Sequence, residues 1–225
     1  TNPIWQALVN SGRHDFVPAE LMVNTMNTLN DPRRPLYYQK ATDGTYKGGL
    51  AGGGNSYGDV SQFSAAWQGT NFGDDMLDYS ETEFLLAEAV ERGFPVGGTA
   101  ETHYDNAITA SITFWGGSTT DASNYLAQPA VAYSSAAGDY KQKIGYQQWI
   151  AFANRGWDAW TSIRRLGYPN INVINPPVGA QGLLPLRYYY PLTEQSANAN
   201  NWADAVKAMS GGVSDNVATK LFWMK

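Results

Sequence analysis

Cysteine is absent from the 225 residues, which removes disulfide staples, thiolate metal sites and cysteine nucleophiles together and leaves burial to hold the chain together. Long apolar runs are missing too. No stretch approaches the roughly 20 residues that span a bilayer, and the start Thr1-Asn2-Pro3-Ile4-Trp5 carries neither a charged nor an apolar leader region, so the chain reads as processed or excised. Nor is there a basic field. Fifteen lysines and arginines stand against 20 aspartates and glutamates, a formal charge of -5, and no attraction to nucleic-acid phosphates or anionic lipid heads is expected.

The chemistry-bearing motifs are equally scarce. Only two histidines occur, His14 and His103, in separate segments with no acid or second ligand at metal-binding spacing, and both read as structural or solvated. The run Gly52-Gly53-Gly54 lacks the Lys-Ser/Thr of a phosphate cradle, and no G-x-S-x-G elbow occurs. Asp43, Asp59, Asp74, Asp75 and Asp78 could gather around calcium, but their spacing matches no EF-hand loop, and caps and turns are the commoner use of such residues. No metal or cofactor is therefore expected. Glu81, Glu83, Glu88 and Glu91 read as the solvated face of a helix, and nothing singles out a carboxylate pair opposed across a sugar, so no enzyme is expected either.

What the chain does have is rings. It holds eight tryptophans and 14 tyrosines while only 16% of its residues are charged. Such side chains offer an apolar face to sugar C–H groups and a polar edge to water, and they also fill cores and loop seams.

The pattern along the chain is helical with long interruptions. Residues 1–36 end at Asp31-Pro32-Arg33-Arg34-Pro35, where two prolines forbid a continuing helix. Residues 37–79 read as one long irregular excursion, glycine-rich between Tyr46 and Gly58, and loops of this length are more often functional or disordered than incidental. Ser80 and Glu83 form a capping-box signature, followed by Leu86, Ala89, Val90 and Gly93 at helical spacing, with Gly93 and Pro95 as the stop. Tyr104, Ala107, Ile108, Ser111, Ile112 and Trp115 trace one face of a second helix. Residues 81–115 thus resemble a tetratricopeptide-like hairpin. Further helices are expected over about 139–154 and 157–166, the latter closed by Gly167-Tyr168-Pro169 with Arg164-Arg165 complementing its C-terminal dipole, and a short one over 202–209 capped by Asn201. Prolines 169, 176, 177, 185 and 191 frame an extended passage, and 219–223 read as a strand or a packed terminus. The expected class is all-α, with tetratricopeptide-like hairpins and long glycine- and proline-rich loops.

Several of these segments resemble the SusD/RagB family. Phe84-Leu85-Leu86-Ala87-Glu88-Ala89 with Arg92-Gly93, Tyr104 through Ser111, Trp115-Gly116, Gln148-Trp149-Ile150-Ala151, Gly156-Trp157-Asp158-Ala159-Trp160 and Arg164 through Pro169 follow in the family's order. Pro185-Leu186-Arg187, Tyr190-Pro191, Glu194, Asn198 and Asn201 resemble its C-terminal signature, and Asp31-Pro32-Arg33 its Asp-Pro-Arg turn, so the likeness runs over residues 14–225. The resemblance implies a single SusD-like domain over 1–225 and a cell-surface, outer-membrane lipoprotein. It also implies that the protein binds oligosaccharide or polysaccharide without cleaving it and works with a TonB-dependent transporter. Family members are about twice as long and begin with a lipidated cysteine, so N-terminal repeats and the lipid anchor, the only implied tie to the membrane, are expected to lie outside these residues.

Family motifs of this kind are mainly packing motifs and carry no sugar-contacting position across. The ligand-binding candidates come instead from the excursion: Tyr46, Tyr57, Trp67 and Phe72 as rings not committed to a helix seam, with Asn55 and Asp59 as hydrogen-bonding partners for hydroxyls. Trp115, Trp149, Trp157 and Trp160 lie on expected helical faces and are assigned to the core. The alternative reading is a tetratricopeptide-type scaffold that binds protein rather than sugar.

Overall fold

The computed structural model describes residues 2–73, 75–173, 184–210 and 214–224. Its helices are α1 (Pro3–Trp5), α2 (Glu20–Thr28), α3 (Arg34–Tyr37), α4 (Tyr79–Glu91), α5 (Ala100–Phe114), α6 (Thr119–Leu126), α7 (Tyr140–Ala151), α8 (Gly156–Leu166), α9 (Leu192–Ala197) and α10 (Ala199–Ser210). Two two-residue strands, β1 (Tyr38–Gln39) and β2 (Gln62–Phe63), pair antiparallel and close the excursion between α3 and α4. The fold is all-helical apart from that ribbon. Part of the Asn170–Tyr190 passage, including Pro176 and Pro177, lies outside the described residues.

Helices α4 and α5 form a packed hairpin, α7 lies against α4 and α8, and α6 against α5. The cap of α4 differs from expectation. Asp78 accepts from the Glu81 N–H at 2.7 Å, while Ser80, two residues further in, donates to the Ala107 carbonyl at 2.8 Å and ties α4 to α5. A carboxylate at the N-cap suits the positive end of the helix better than a hydroxyl that tertiary packing has already claimed. The stop is as read: Gly93 adopts φ +81°, a left-handed conformation that costs glycine little. On α5 the expected face, Tyr104, Ala107, Ile108, Ser111 and Ile112, is buried.

The glutamates of α4 are paired rather than simply solvated, and of the four only Glu91 is exposed. Glu83 and Glu88 are buried; Glu83 meets His103 of α5 at 2.6 Å and Glu88 meets Arg92 and Arg165 at 2.8 and 2.9 Å. Glu81 pairs with Arg155 at 2.7 Å, and Glu91 accepts from the Tyr133 hydroxyl at 2.6 Å. Apart from Arg92, four residues on from Glu88, their partners come from distant segments, which a local acidic pattern does not reveal. The same holds for Arg164 and Arg165, which bridge outward rather than cap α8. Arg165 reaches Glu88, and Arg164 stacks 3.6 Å over Trp160 and donates to the Leu186 carbonyl.

Besides the short α1, α3 and α9, two longer helices were not anticipated. Helix α2 starts at Ala19, which offers no side-chain cap. Helix α6 carries a full capping box, Ser118 with Asp121. Helix α10 begins at Ala199, ahead of Asn201, and the tail forms a 3-10 turn over Phe222–Met224 rather than a strand.

An aromatic cluster fastens the excursion to this body. Trp67 lies 5.0 Å from Trp115, 5.1 Å from Phe63, 5.8 Å from Phe72 and 6.0 Å from Tyr37 between ring centroids. A second tie is backbone to backbone: Glu20 donates to the Gly49 carbonyl at 2.7 Å and Gly49 to the Pro18 carbonyl at 2.8 Å.

Candidate functional site

The pleat of the short ribbon sorts its side chains. Tyr38 faces Phe63 across the strands and Gln39 faces Gln62. Because successive residues point to opposite faces, burying Tyr38 against the cluster puts both glutamines on the other side. There they line a recess of about 290 Å³ with Gln68, His14, Tyr57 and the wide helical turn Gln6–Asn10.

Within it the amides are oriented. The Gln39 and Gln68 side-chain NH₂ groups both donate to the Phe63 carbonyl, at 3.2 and 2.9 Å. A carbonyl can only accept, so each amide must present its nitrogen there and keep its own oxygen as an acceptor for something else. Tyr57 sits in a 3-10 turn, Tyr57–Asp59, with its ring 4.8 Å from the His14 imidazole and tilted by 36°. No carboxylate, lysine or arginine lines the recess among the described residues. Amide oxygens, a phenol, an imidazole and ring faces without fixed charge can bind a neutral polyol by hydrogen bonding and C–H stacking.

The six residues expected to bind ligand are not brought together. Tyr57 lines the recess. Trp67 is 3% exposed and its ring is enclosed by four others, and Phe72 packs against it half-buried. Tyr46 lies half-buried beneath the Arg34 guanidinium at 4.7 Å. Asn55 pins its own loop, accepting from the Leu50 N–H at 2.8 Å and donating to the carbonyls of Leu50 and Gly53. Asp59 is exposed and outside the recess lining. Of the other aspartates, Asp43 closes a turn with Thr45 and Lys47, Asp78 caps α4, and Asp74 lies outside the described residues. His14 and the three glutamines were missed. The two-residue alternations Tyr38-Gln39 and Gln62-Phe63 were the available signal.

A second and larger concavity, about 690 Å³, is built differently. Trp157, Trp160 and Tyr188 cluster with centroids 5.6 to 6.2 Å apart over Phe152, Ile163 and Leu184. Trp115 and Trp149 are buried as assigned, but Trp157 is 66% exposed and Trp160 half-buried. The three rings stand at 45° to 69° to one another and form no flat platform.

A family profile described as "Starch-binding associating with outer membrane", SusD-like, matches residues 1–191. The chain belongs to the SusD-like family. Among solved structures, the SusD-like chain is similar to a chitin-binding SusD homolog from Flavobacterium johnsoniae, at 28% identity and TM-score 0.79, covering 100% of this chain and 52% of that one. It is also similar to a chitin-binding protein at 27% identity and TM-score 0.75, covering 91% and 49%. A SusD homolog from Bacteroides fragilis, at 24% identity and TM-score 0.74 with 92% and 51% covered, shares the fold. The SusD-like chain thus spans about half the length of these structures. No curated protein matches it.

Proposed function

We propose that this SusD-like chain captures a neutral glycan at the cell surface and passes it to a TonB-dependent outer-membrane transporter without cleaving it, the full-length protein being held to the membrane by a lipid anchor. The observation that carries the reading is the uncharged recess at the excursion, where the amide oxygens of Gln39 and Gln68 are left as acceptors beside the Tyr57 and His14 rings. Sugar hydroxyls and acetamido N–H groups are the donors that such a surface takes. Two similar structures are described as chitin-binding, which makes N-acetylglucosamine oligosaccharides the first ligands to test. The recess lining offers no carboxylate to act as acid, base or nucleophile, and the proposal therefore contains no cleavage step.

Isothermal titration of the chain with chitin oligosaccharides tests this, beside Tyr57→Ala and the paired variant Gln39→Ala/Gln68→Ala. Binding that either variant weakens, with no reducing ends released, is the expected result. Binding that both leave unchanged would remove the recess from the proposal.

A protein-binding scaffold is the second reading, and the Trp157, Trp160 and Tyr188 groove favours it. Its lining is apolar and tilted, suited to an inserted side chain more than to a flat sugar face. Capture of a protein partner that is lost in Trp157→Ser and indifferent to added glycan would support this reading over the first.

A further inference from the structure

A third concavity, about 350 Å³, opens between α2, the turns that precede α7, and the first half of α7. Its polar lining includes Asn24 and Thr25 from α2 and Gln142, Lys143 and Tyr146 from α7, while Thr28, Tyr104 and Gln147 are already bonded within the fold. Among the described residues, Lys143 is the only one lining it that carries a fixed charge. The ammonium is half-buried; it donates to the Tyr133 carbonyl at 2.7 Å and lies 5.1 Å from the Tyr133 ring centroid. Among the described residues no carboxylate stands within 4.0 Å of it. Glu91, which shares Tyr133 with it, is held by the Tyr133 hydroxyl at 2.6 Å, and Asp139 is engaged as the cap of α7 through the Gln142 N–H at 3.0 Å.

Local helix physics does not account for this cation. Lys143 sits near the start of α7, where the macrodipole is positive, and the acidic N-cap Asp139 four residues before it accepts from the Gln142 N–H without pairing with the ammonium. A half-desolvated ammonium with three donors and one accepting partner keeps two donors for a ligand. In the same lining the side chains of Asn24, Thr25, Gln142 and Tyr146 make no hydrogen bond to another described residue. The volume suits one sugar ring, near the lower end of the about 300–1,000 Å³ seen for small-molecule sites.

We infer that this recess is a second binding site, separate from the neutral one, that takes a carboxylate-bearing sugar of the uronic acid class. The carboxylate pairs with Lys143 and the ring hydroxyls meet the amides and phenol around it. The chain as a whole is acidic, so the attraction is local to this one ammonium and not a property of the surface.

The test is a ¹⁵N chemical-shift titration of the chain with D-glucuronate, with D-glucose and acetate as the neutral and the non-sugar arms. Saturable shifts on α2 and α7 are expected with glucuronate alone. They weaken as salt is raised, and Lys143→Met reduces the affinity by about ten- to a hundredfold, the range of a charge-assisted hydrogen bond. Lys141→Met serves as the control for charge on the same helix and leaves affinity unchanged. Should Lys143→Met perturb the fold, Gln142→Ala at the rim provides the second reading and is expected to weaken glucuronate as well. Glucose binding as tightly as glucuronate, acetate reproducing the full effect, or a folded Lys143→Met that binds as the parent does would each overturn the inference. Because the probe carries a charge and the neutral recess is read by Tyr57 and the glutamines, failure here leaves the chitin-oligosaccharide result standing on its own.

Discussion

Arg33 holds Asp31 at 2.6 Å with neither side chain exposed to solvent. The same guanidinium donates to Ser111 of α5 at 3.1 Å and to Gln147 of α7 at 2.8 Å, so one buried cation joins the turn before α3 to two helices. Burial alone would lower the arginine pKa, but the charge and hydrogen bonds of Asp31 outweigh it and the group is held firmly protonated. Arg33→Met leaves a buried carboxylate without its partner and is expected to cost about 3–5 kcal/mol. Adding Asp31→Asn should restore a large part of that loss, since the double variant buries no lone charge. Urea denaturation of the two variants checks both halves, and equal midpoints would show that the lost pairing is not the origin of the cost.

A second charged contact makes stability depend on pH. His103 places Nδ1 2.6 Å from the Glu83 carboxylate and Nε2 3.0 Å from the Gly97 carbonyl. Both partners only accept, so both are satisfied only by the doubly protonated ring. The hydrogen bond to Glu83, then that to Gly97, raises the His103 pKa against a smaller effect of burial. For Glu83 burial pushes upward, but hydrogen bonds from Tyr79, His103 and Asn106 together leave it lowered. A raised histidine pKa contributes stability that is complete below its unfolded value, about 6.5, and is lost as pH rises through the folded value. A lowered carboxylate contributes above its unfolded value, about 4.3, and loses that on acidification. Stability from this pair should therefore be greatest between those limits and decline toward alkaline pH. His103→Gln is expected to flatten the alkaline decline in melting temperature, and a variant whose profile keeps the parent's slope would contradict the assignment.

Two rings of the excursion should separate cleanly in a mutational test. Trp67 is enclosed by Tyr37, Phe63, Phe72 and Trp115, and Trp67→Ala is expected to cost about 3–5 kcal/mol in stability. Its indole Nε1 is buried without an acceptor, so Trp67→Phe should cost much less than Trp67→Ala. Tyr57→Ala, at the lip of the recess, is expected to stay within about 0.5 kcal/mol of the parent in stability. It should lose about 1 kcal/mol or more of sugar affinity through the missing ring face. Thermal melts alongside calorimetric titration distinguish these outcomes.

The helices that were legible in the sequence are those with a periodic apolar face and a mark at one end at least. Gly93 and Gly167 stop α4 and α8 in the left-handed conformation, and the periodic apolar residues of α5 are the ones found buried. Helix α2 lacked such a sign because Ala19 provides no cap, and α6, with Ala122 and Tyr125 alone buried, carries too little periodicity to stand out beside its Ser118 box. The binding surface was harder for a different reason. Whether a loop ring is free or buried depends on what meets it in space, and Trp67 is buried by Trp115, on the far side of a whole helix hairpin in sequence. Trp157 shows the reverse: helical periodicity assigned it inside, yet no described element covers its ring. Partners for Glu83, Glu88 and Arg165 were hidden by the same long-range pairing.

Gly48 tests whether the excursion is anchored as described. A methyl group built on it would lie 2.5 Å from the Glu20 nitrogen and 2.7 Å from the Ala19 carbonyl carbon, both backbone atoms of the start of α2, which cannot move aside as a side chain would. Beside it, the Ala19 and Gly49 bridge and the Lys47 N–H to Ser61 Oγ bond at 3.1 Å fix where the excursion leaves the body and where it returns. Gly48→Ala must push these backbones apart, at a cost of about 1–3 kcal/mol. Gly54 and Gly58 have open space at the same distance and no left-handed backbone, so alanine at either should leave stability within about 0.5 kcal/mol of the parent, or raise it slightly by stiffening the unfolded chain. Limited proteolysis adds the local reading. If the bridge sets the loop, Gly48→Ala opens cleavage between Tyr46 and Tyr57 and weakens sugar binding at the Tyr57 recess, whereas Gly54→Ala does neither. If all three alanines behave alike, the close approach at Gly48 is not what holds the excursion, and the aromatic cluster around Trp67 must hold it alone.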